Sequence, residues 1–107
     1  MRYEISDTRA VLKFRAQWKG KRIAVTEIAQ PAQRSYSYYL LEGRRLLLGL
    51  DNAPDRPALR LKYGKEFTVH LYESVPHLHA DPHKLELTDE KMFEDFVRMV
   101  LEFKESS

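Results

Sequence analysis

The sequence contains no cysteine. That excludes a disulfide framework, a thiol nucleophile and any thiolate-ligated metal site. No apolar run approaches the roughly 18 residues that a membrane-spanning helix requires. The opening M-R-Y-E-I-S-D has no apolar stretch of the signal-peptide kind. These absences give the expectation of a cytoplasmic protein with no membrane partner. There is no Gly-rich phosphate loop, no H-E-x-x-H and no G-x-S-x-G, so three familiar routes to catalysis are missing. Charge of one sign is also lacking: the formal net charge is only +2, too mild by itself to demand a nucleic-acid partner.

What is present is a globular composition. At 43% hydrophobic and 32% charged over 107 residues, the chain fits a single domain, 1–107, with a core of its own. Residues 11–18 alternate, with Leu12, Phe14, Ala16 and Trp18 opposite Lys13, Arg15 and Gln17, the period of a half-buried strand. Tyr3 and Ile5 suggest a short strand before it, and Lys19-Gly20 a tight hairpin after it. In residues 22–29, Glu27 shares the phase of Ile23 and Val25. Either a bulge turns Ile28 inward or the buried face ends at Glu27, where the carboxylate needs a partner.

Residues 35–41 and 44–51 form a second hairpin around Glu42-Gly43, with Tyr36, Tyr38 and Leu40 on one face of the first strand and Leu46, Leu48 and Leu50 on one face of the second. Apolar residues on both faces mark central strands or a face covered by a helix. Asp51-Asn52-Ala53-Pro54-Asp55 turns the chain. Alternation in 56–63 and 67–73 predicts two more strands about Gly64-Lys65. Thr88 is placed as an N-cap, followed by Met92, Phe93, Phe96, Val97, Val100, Leu101 and Phe103 at helical spacing to about Lys104. The fold class is α+β: a mainly antiparallel sheet of about five to six strands packed by one C-terminal α-helix.

All four histidines fall in residues 69–84: His70, His77, His79 and His83, with Asp81 between the last two. Pro76 and Pro82 bracket the segment, which is expected to be irregular or a short edge strand. His70 is set apart as a strand residue. His77 and His79, two apart, project to one side of an extended chain, and His83 can fold back to join them. Two chemistries follow. His77, His79 and His83, with Asp81 or Asp51, make a site for a divalent transition metal with an open position. Alternatively His77 and His79 act as general base and acid, which is all that metal-independent RNA cleavage through the ribose 2′-hydroxyl requires. Asp51, at a strand end, is the carboxylate that orients an imidazole. Tyr39, on the less apolar strand face, Arg45 and Asn52 are the candidate substrate contacts, with ring stacking and guanidinium–phosphate pairing suited to single-stranded RNA. Arg9, Lys13, Arg15, Lys19, Lys21 and Arg22 crowd the first hairpin, as a solvated face or a phosphate-binding one. A third reading is a non-catalytic domain that binds nucleic acid or protein.

A Y-x-Y strand (Tyr36-Ser37-Tyr38), a strand ending in D-N-A-P (Asp51 to Pro54) and a downstream P-H-x-H (Pro76-His77-Leu78-His79) resemble the TumE family, the toxin halves of prokaryotic toxin–antitoxin modules. The resemblance implies a toxin-like component neutralised by a cognate antitoxin. Joined to the residues, it gives the leading expectation of RNA cleavage by histidine acid–base chemistry without a cofactor.

Overall fold

The computed structural model describes residues 1–80 and 83–103. They form one antiparallel sheet of seven strands in sequential order: β1 (Arg2–Ile5), β2 (Ala10–Trp18), β3 (Lys21–Gln30), β4 (Gln33–Glu42), β5 (Arg45–Asp51), β6 (His77–Ala80) and β7 (Lys84–Leu87). Two α-helices accompany it among the described residues, α1 (Arg56–Tyr63) and α2 (Phe93–Glu102). The α+β class stands; the strand number and the helix count do not. The β2–β3 hairpin closes on Lys19 at φ 50° and Gly20 at φ 77°, the paired left-handed conformation whose twist matches its flanking strands.

One face of the sheet carries the core. Val25, Tyr36, Tyr38, Leu40, Leu48, Leu50 and Leu78 are buried there beneath Phe96 and Val100 of α2. Each such side chain contributes about 1.5–3 kcal/mol by leaving water. A register shift pairs Leu40 with Leu48 but Leu41 with Leu46. The extra residue, Leu47, joins the core, so Leu46 lies opposite to the face that simple alternation assigns it. No such shift interrupts β3. The ladder runs through Leu12↔Glu27 and Glu27↔Tyr36, and the buried face ends at Glu27. Its carboxylate accepts from the Tyr38 hydroxyl and from Arg34 at 3.3 Å. Arg34 also donates to the Lys91 carbonyl at 2.9 Å, tying this rim to the approach of α2.

Residues 56–63 are a helix, not a strand. The Asp55 carboxylate caps it by accepting from the Ala58 N–H at 2.9 Å, and Pro57 sits in the first turn, where its missing N–H costs nothing. Ala58 and Leu59 are buried against Val75, while Leu61 is 57% exposed, so the Leu59–Leu61–Tyr63 alternation was not an inward face. Residues Gly64–His70 continue as a 3₁₀ segment, again not a strand. His70 stacks on Tyr63 with ring centres 3.6 Å apart, and its Nδ1 lies 2.8 Å from Glu73. Helix α1 therefore packs over β7, on the face opposite α2.

The C-terminal helix starts later than Thr88. The Thr88 N–H bonds the Pro76 carbonyl at 3.1 Å, prolonging the β6–β7 pairing. The helix begins after Met92, whose N–H donates to Asp95 at 2.8 Å. It ends at Glu102, with Phe103 already extended, short of the expected Lys104, which lies outside the described residues.

Candidate active site

Within the proline-bracketed segment, His77–Ala80 is neither irregular nor an edge. Residues 84–87 supply an outer strand, so β6 is flanked by β5 and β7. The register sets Asp51 opposite His77 and Gly49 opposite His79, which brings the end of β5 and both histidines to one face.

His77 is 1% exposed and Asp51 5% exposed, so their interaction is in a poorly solvated setting. The His77 Nδ1 is 2.5 Å from the Val75 carbonyl oxygen. A carbonyl only accepts, so Nδ1 carries a proton and Nε2 is the atom left to act. Nε2 lies 3.3 Å from Asp51 Oδ1. The second carboxylate oxygen accepts from the Tyr39 hydroxyl at 2.9 Å, and the first also accepts from the Ala53 N–H at 3.0 Å. Burial works against a charged Asp51, but the His77 contact and charge, Tyr39 and Ala53 together outweigh it and lower its pKa below the ordinary 3.8. Burial likewise opposes charging His77, and the Asp51 and Val75 hydrogen bonds outweigh it, raising its pKa above 6.5. Burial, then the charge of Asp51, pushes the Tyr39 phenol upward, keeping it a donor.

These directions fix a pH dependence for the metal-free fold. The stabilisation from His77 is fully present below 6.5 and is lost as pH rises through its raised folded value. That from Asp51 is present above 3.8 and is lost as pH falls through its lowered one. Melting temperature in chelator should therefore plateau between these limits and fall on both sides. A scan from about pH 3 to about pH 9 checks this, and His77→Gln should lose the alkaline decline.

His79 completes the cluster. It is half-buried, meets His77 edge-on with ring centres 4.7 Å apart, and has no hydrogen-bond partner among the described residues. One ligand atom from each of Asp51, His77 and His79 lies within 4.8 Å of the others. Bonds of about 2.0–2.1 Å to a tetrahedral ion place ligand atoms roughly 3.4 Å apart. The 3.3 Å between His77 Nε2 and Asp51 Oδ1 fits that. The second ring nitrogen of His77 on a carbonyl, and a carboxylate held by neighbours, are the supports that metal ligands carry.

The other expected residues are placed differently. His83, at φ 59°, faces His79 across a cleft of about 350 Å³ floored by Leu46, Pro57 and Leu85, and it does not belong to the convergent group. Asp81 and Pro82 lie outside the described residues. Asn52 is 4% exposed, and its amide is consumed by the Tyr36 N–H at 3.0 Å and the Arg34 carbonyl at 2.7 Å. The amide thus clamps the turn after β5 to β4. Arg45 begins the strand that Asp51 ends, roughly 20 Å away by strand rise, and lies 4.0 Å from Glu42. Tyr39 does reach the site, through Asp51.

Gly49 was missed. A Cβ there would stand 2.7 and 2.9 Å from Tyr39 ring carbons, so only glycine lets that ring lie across β5 to Asp51. An isolated glycine inside a strand is the usual sign of such a close approach.

No family model matches the sequence, and no curated protein or solved structure matches it either.

Proposed function

We propose that Asp51, His77 and His79 are the ligands of a divalent transition metal and that the protein is a metal-dependent hydrolytic enzyme. The observation that carries this reading is the convergence of three ligand atoms within 4.8 Å at the rim of a cleft, two of them buried and held from behind. Two imidazoles and one carboxylate leave coordination positions open for substrate and water. A metal held there supplies Lewis acidity and a water of lowered pKa. The chain's own residues do the positioning: Val75 fixes the His77 tautomer, Tyr39 and Ala53 aim the carboxylate, and the cleft beside Tyr39 and Asp51 admits a substrate. Calorimetric titration of chelator-treated protein with zinc should give one equivalent bound, unchanged in His83→Ala and absent in the His77→Ala/His79→Ala variant. Stoichiometric binding that survives in the double variant overturns the proposal.

A second reading keeps the site metal-free. His77, held protonated by Asp51 and Val75, and the half-buried His79, without a partner, offer one proton donor and one acceptor side by side. That is the pair needed for RNA cleavage by a toxin-like component with a cognate antitoxin. RNA cleavage by chelator-treated protein, lost in His79→Ala, favours it over the metal reading.

A further inference from the structure

The register of the sheet draws two rows across its uncovered face. One runs Arg2, Lys13, Thr26, Ser37, Asp51, His77, each residue paired with the next on the neighbouring strand. The adjacent row runs Arg15, Ala24, Tyr39, Gly49, His79. Both rows start in cations and end in the candidate metal centre; the first crosses Thr26 and Ser37, the second Ala24 and the Tyr39 ring that lies against Gly49. From β2 to β6 is four strand steps, roughly 19 Å, and the rows are two residues apart, roughly 7 Å.

Two clefts lie end to end along this path. One, of about 430 Å³, is lined by Arg2, Lys13 and Arg15. The other, of about 320 Å³, is lined by Ser37, Tyr39 and Asp51. They meet at Thr26. Lys13 and Arg15 are exposed and make no ion pair among the described residues. The acids these strands direct to this face are Glu4, paired with Arg2 at 2.8 Å, and the buried Asp51. Helix α2 covers the opposite face and α1 packs over β7, so neither helix among the described residues roofs the path over β1 to β4.

We propose that this face is the binding track of a single-stranded polynucleotide, whose backbone phosphates rest on Lys13 and Arg15 while a neighbouring phosphodiester reaches Asp51, His77 and His79. The inference names a substrate class for the hydrolase reading above and rests on that reading for any reaction, but not for binding. The charge favours a polyanion. The narrow width favours one strand over a duplex, and Ala24, Thr26 and Ser37 let a backbone lie close to the sheet beside the Tyr39 ring.

The test is fluorescence anisotropy of a labelled ten-nucleotide single-stranded RNA on chelator-treated protein, across a salt series. Lys13→Glu/Arg15→Glu should bind at least about ten-fold more weakly and with a shallower salt slope. A charge-matched control on other surfaces, Lys65→Glu/Arg98→Glu, should bind within about two-fold of the parent. Both track side chains are exposed, and unchanged melting, together with the milder Lys13→Gln/Arg15→Gln, separates lost binding from lost fold. Unlabelled DNA of the same sequence distinguishes the sources: equal competition means that the backbone alone is read, weaker competition that the 2′-hydroxyl is touched, and either supports the track. Unchanged affinity in the Lys13/Arg15 variants overturns it. Competition by a polyglutamate peptide or by duplex RNA as strong as by the single strand overturns it too. Zinc titration of the same variants keeps the two proposals apart, since metal binding should be intact where RNA binding is lost.

Discussion

Asn52→Ala is expected to destabilise the protein by about 3–5 kcal/mol, because its buried amide ties separate parts of the chain together. Its side chain accepts from the Tyr36 N–H at 3.0 Å and donates to the Arg34 carbonyl at 2.7 Å. Its own carbonyl accepts from the Val75 N–H at 3.1 Å and the Ser74 hydroxyl at 2.8 Å. One residue thus binds β4, the turn after β5 and the approach to β6. Alanine strands a donor and an acceptor that the side chain had satisfied, and each buried orphan costs about 1–3 kcal/mol. Asn52→Asp keeps the acceptor but turns a carboxylate oxygen towards the Arg34 carbonyl, so it should be no better. Urea denaturation reads the result as a lowered midpoint with an unchanged slope. A loss below about 1 kcal/mol would mean that water or a shifted backbone replaces the amide, and the clamp assignment would fail.

Asn52 also shows what the sequence could and could not reveal. D-N-A-P was legible as a turn, because Asn, Asp and Pro are turn residues whatever surrounds them. That the amide is spent on strand β4, sixteen residues earlier, is a tertiary fact with no local trace. Strict alternation located β1 to β5, since period two is what a half-buried strand imposes. It failed at Leu46, where one extra residue in β5 reverses the face, and again at 56–63, where Leu59, Leu61 and Tyr63 mimic a strand. There the cap Asp55 and the early Pro57 were the better signals, because capping states how the backbone is satisfied and alternation only how side chains are spaced.

The candidate site was legible in its residues but not in its closure. His77 and His79 lie on one face by strand parity, and the register sets Asp51, at the end of β5, opposite His77. The choice of His83 as third ligand assumed a chain folding back across Pro82. The chain does fold back, β7 pairing with β6 and Ala80 standing opposite Lys84, but His83 only shares the lining of a cleft with His79 and stays outside the convergent group. The register of β5 with β6 decides between the two sets, and no sequence motif encodes a register set by a neighbouring strand.

Removing one imidazole at a time should separate ligand from scaffold. His79→Ala is expected to weaken zinc binding at least about 100-fold, or about 2.7 kcal/mol at 1.36 kcal/mol per decade, while leaving the metal-free melting temperature unchanged. The ring is half-buried and has no hydrogen-bond partner among the described residues, so its loss leaves nothing unsatisfied. His77→Ala should abolish zinc binding equally and also destabilise the metal-free fold by about 3–5 kcal/mol. The reason lies in Asp51, 5% exposed and facing His77 Nε2 at 3.3 Å. Without the imidazole its carboxylate keeps Tyr39 and Ala53 but loses its only charge partner among the described residues. His83→Ala should do neither. Calorimetric affinities and chelator-treated melts of the three variants give the comparison directly. Zinc affinity within about ten-fold of the parent in His79→Ala would remove it from the ligand set, and equal destabilisation by His79→Ala and His77→Ala would mean that both rings are scaffold.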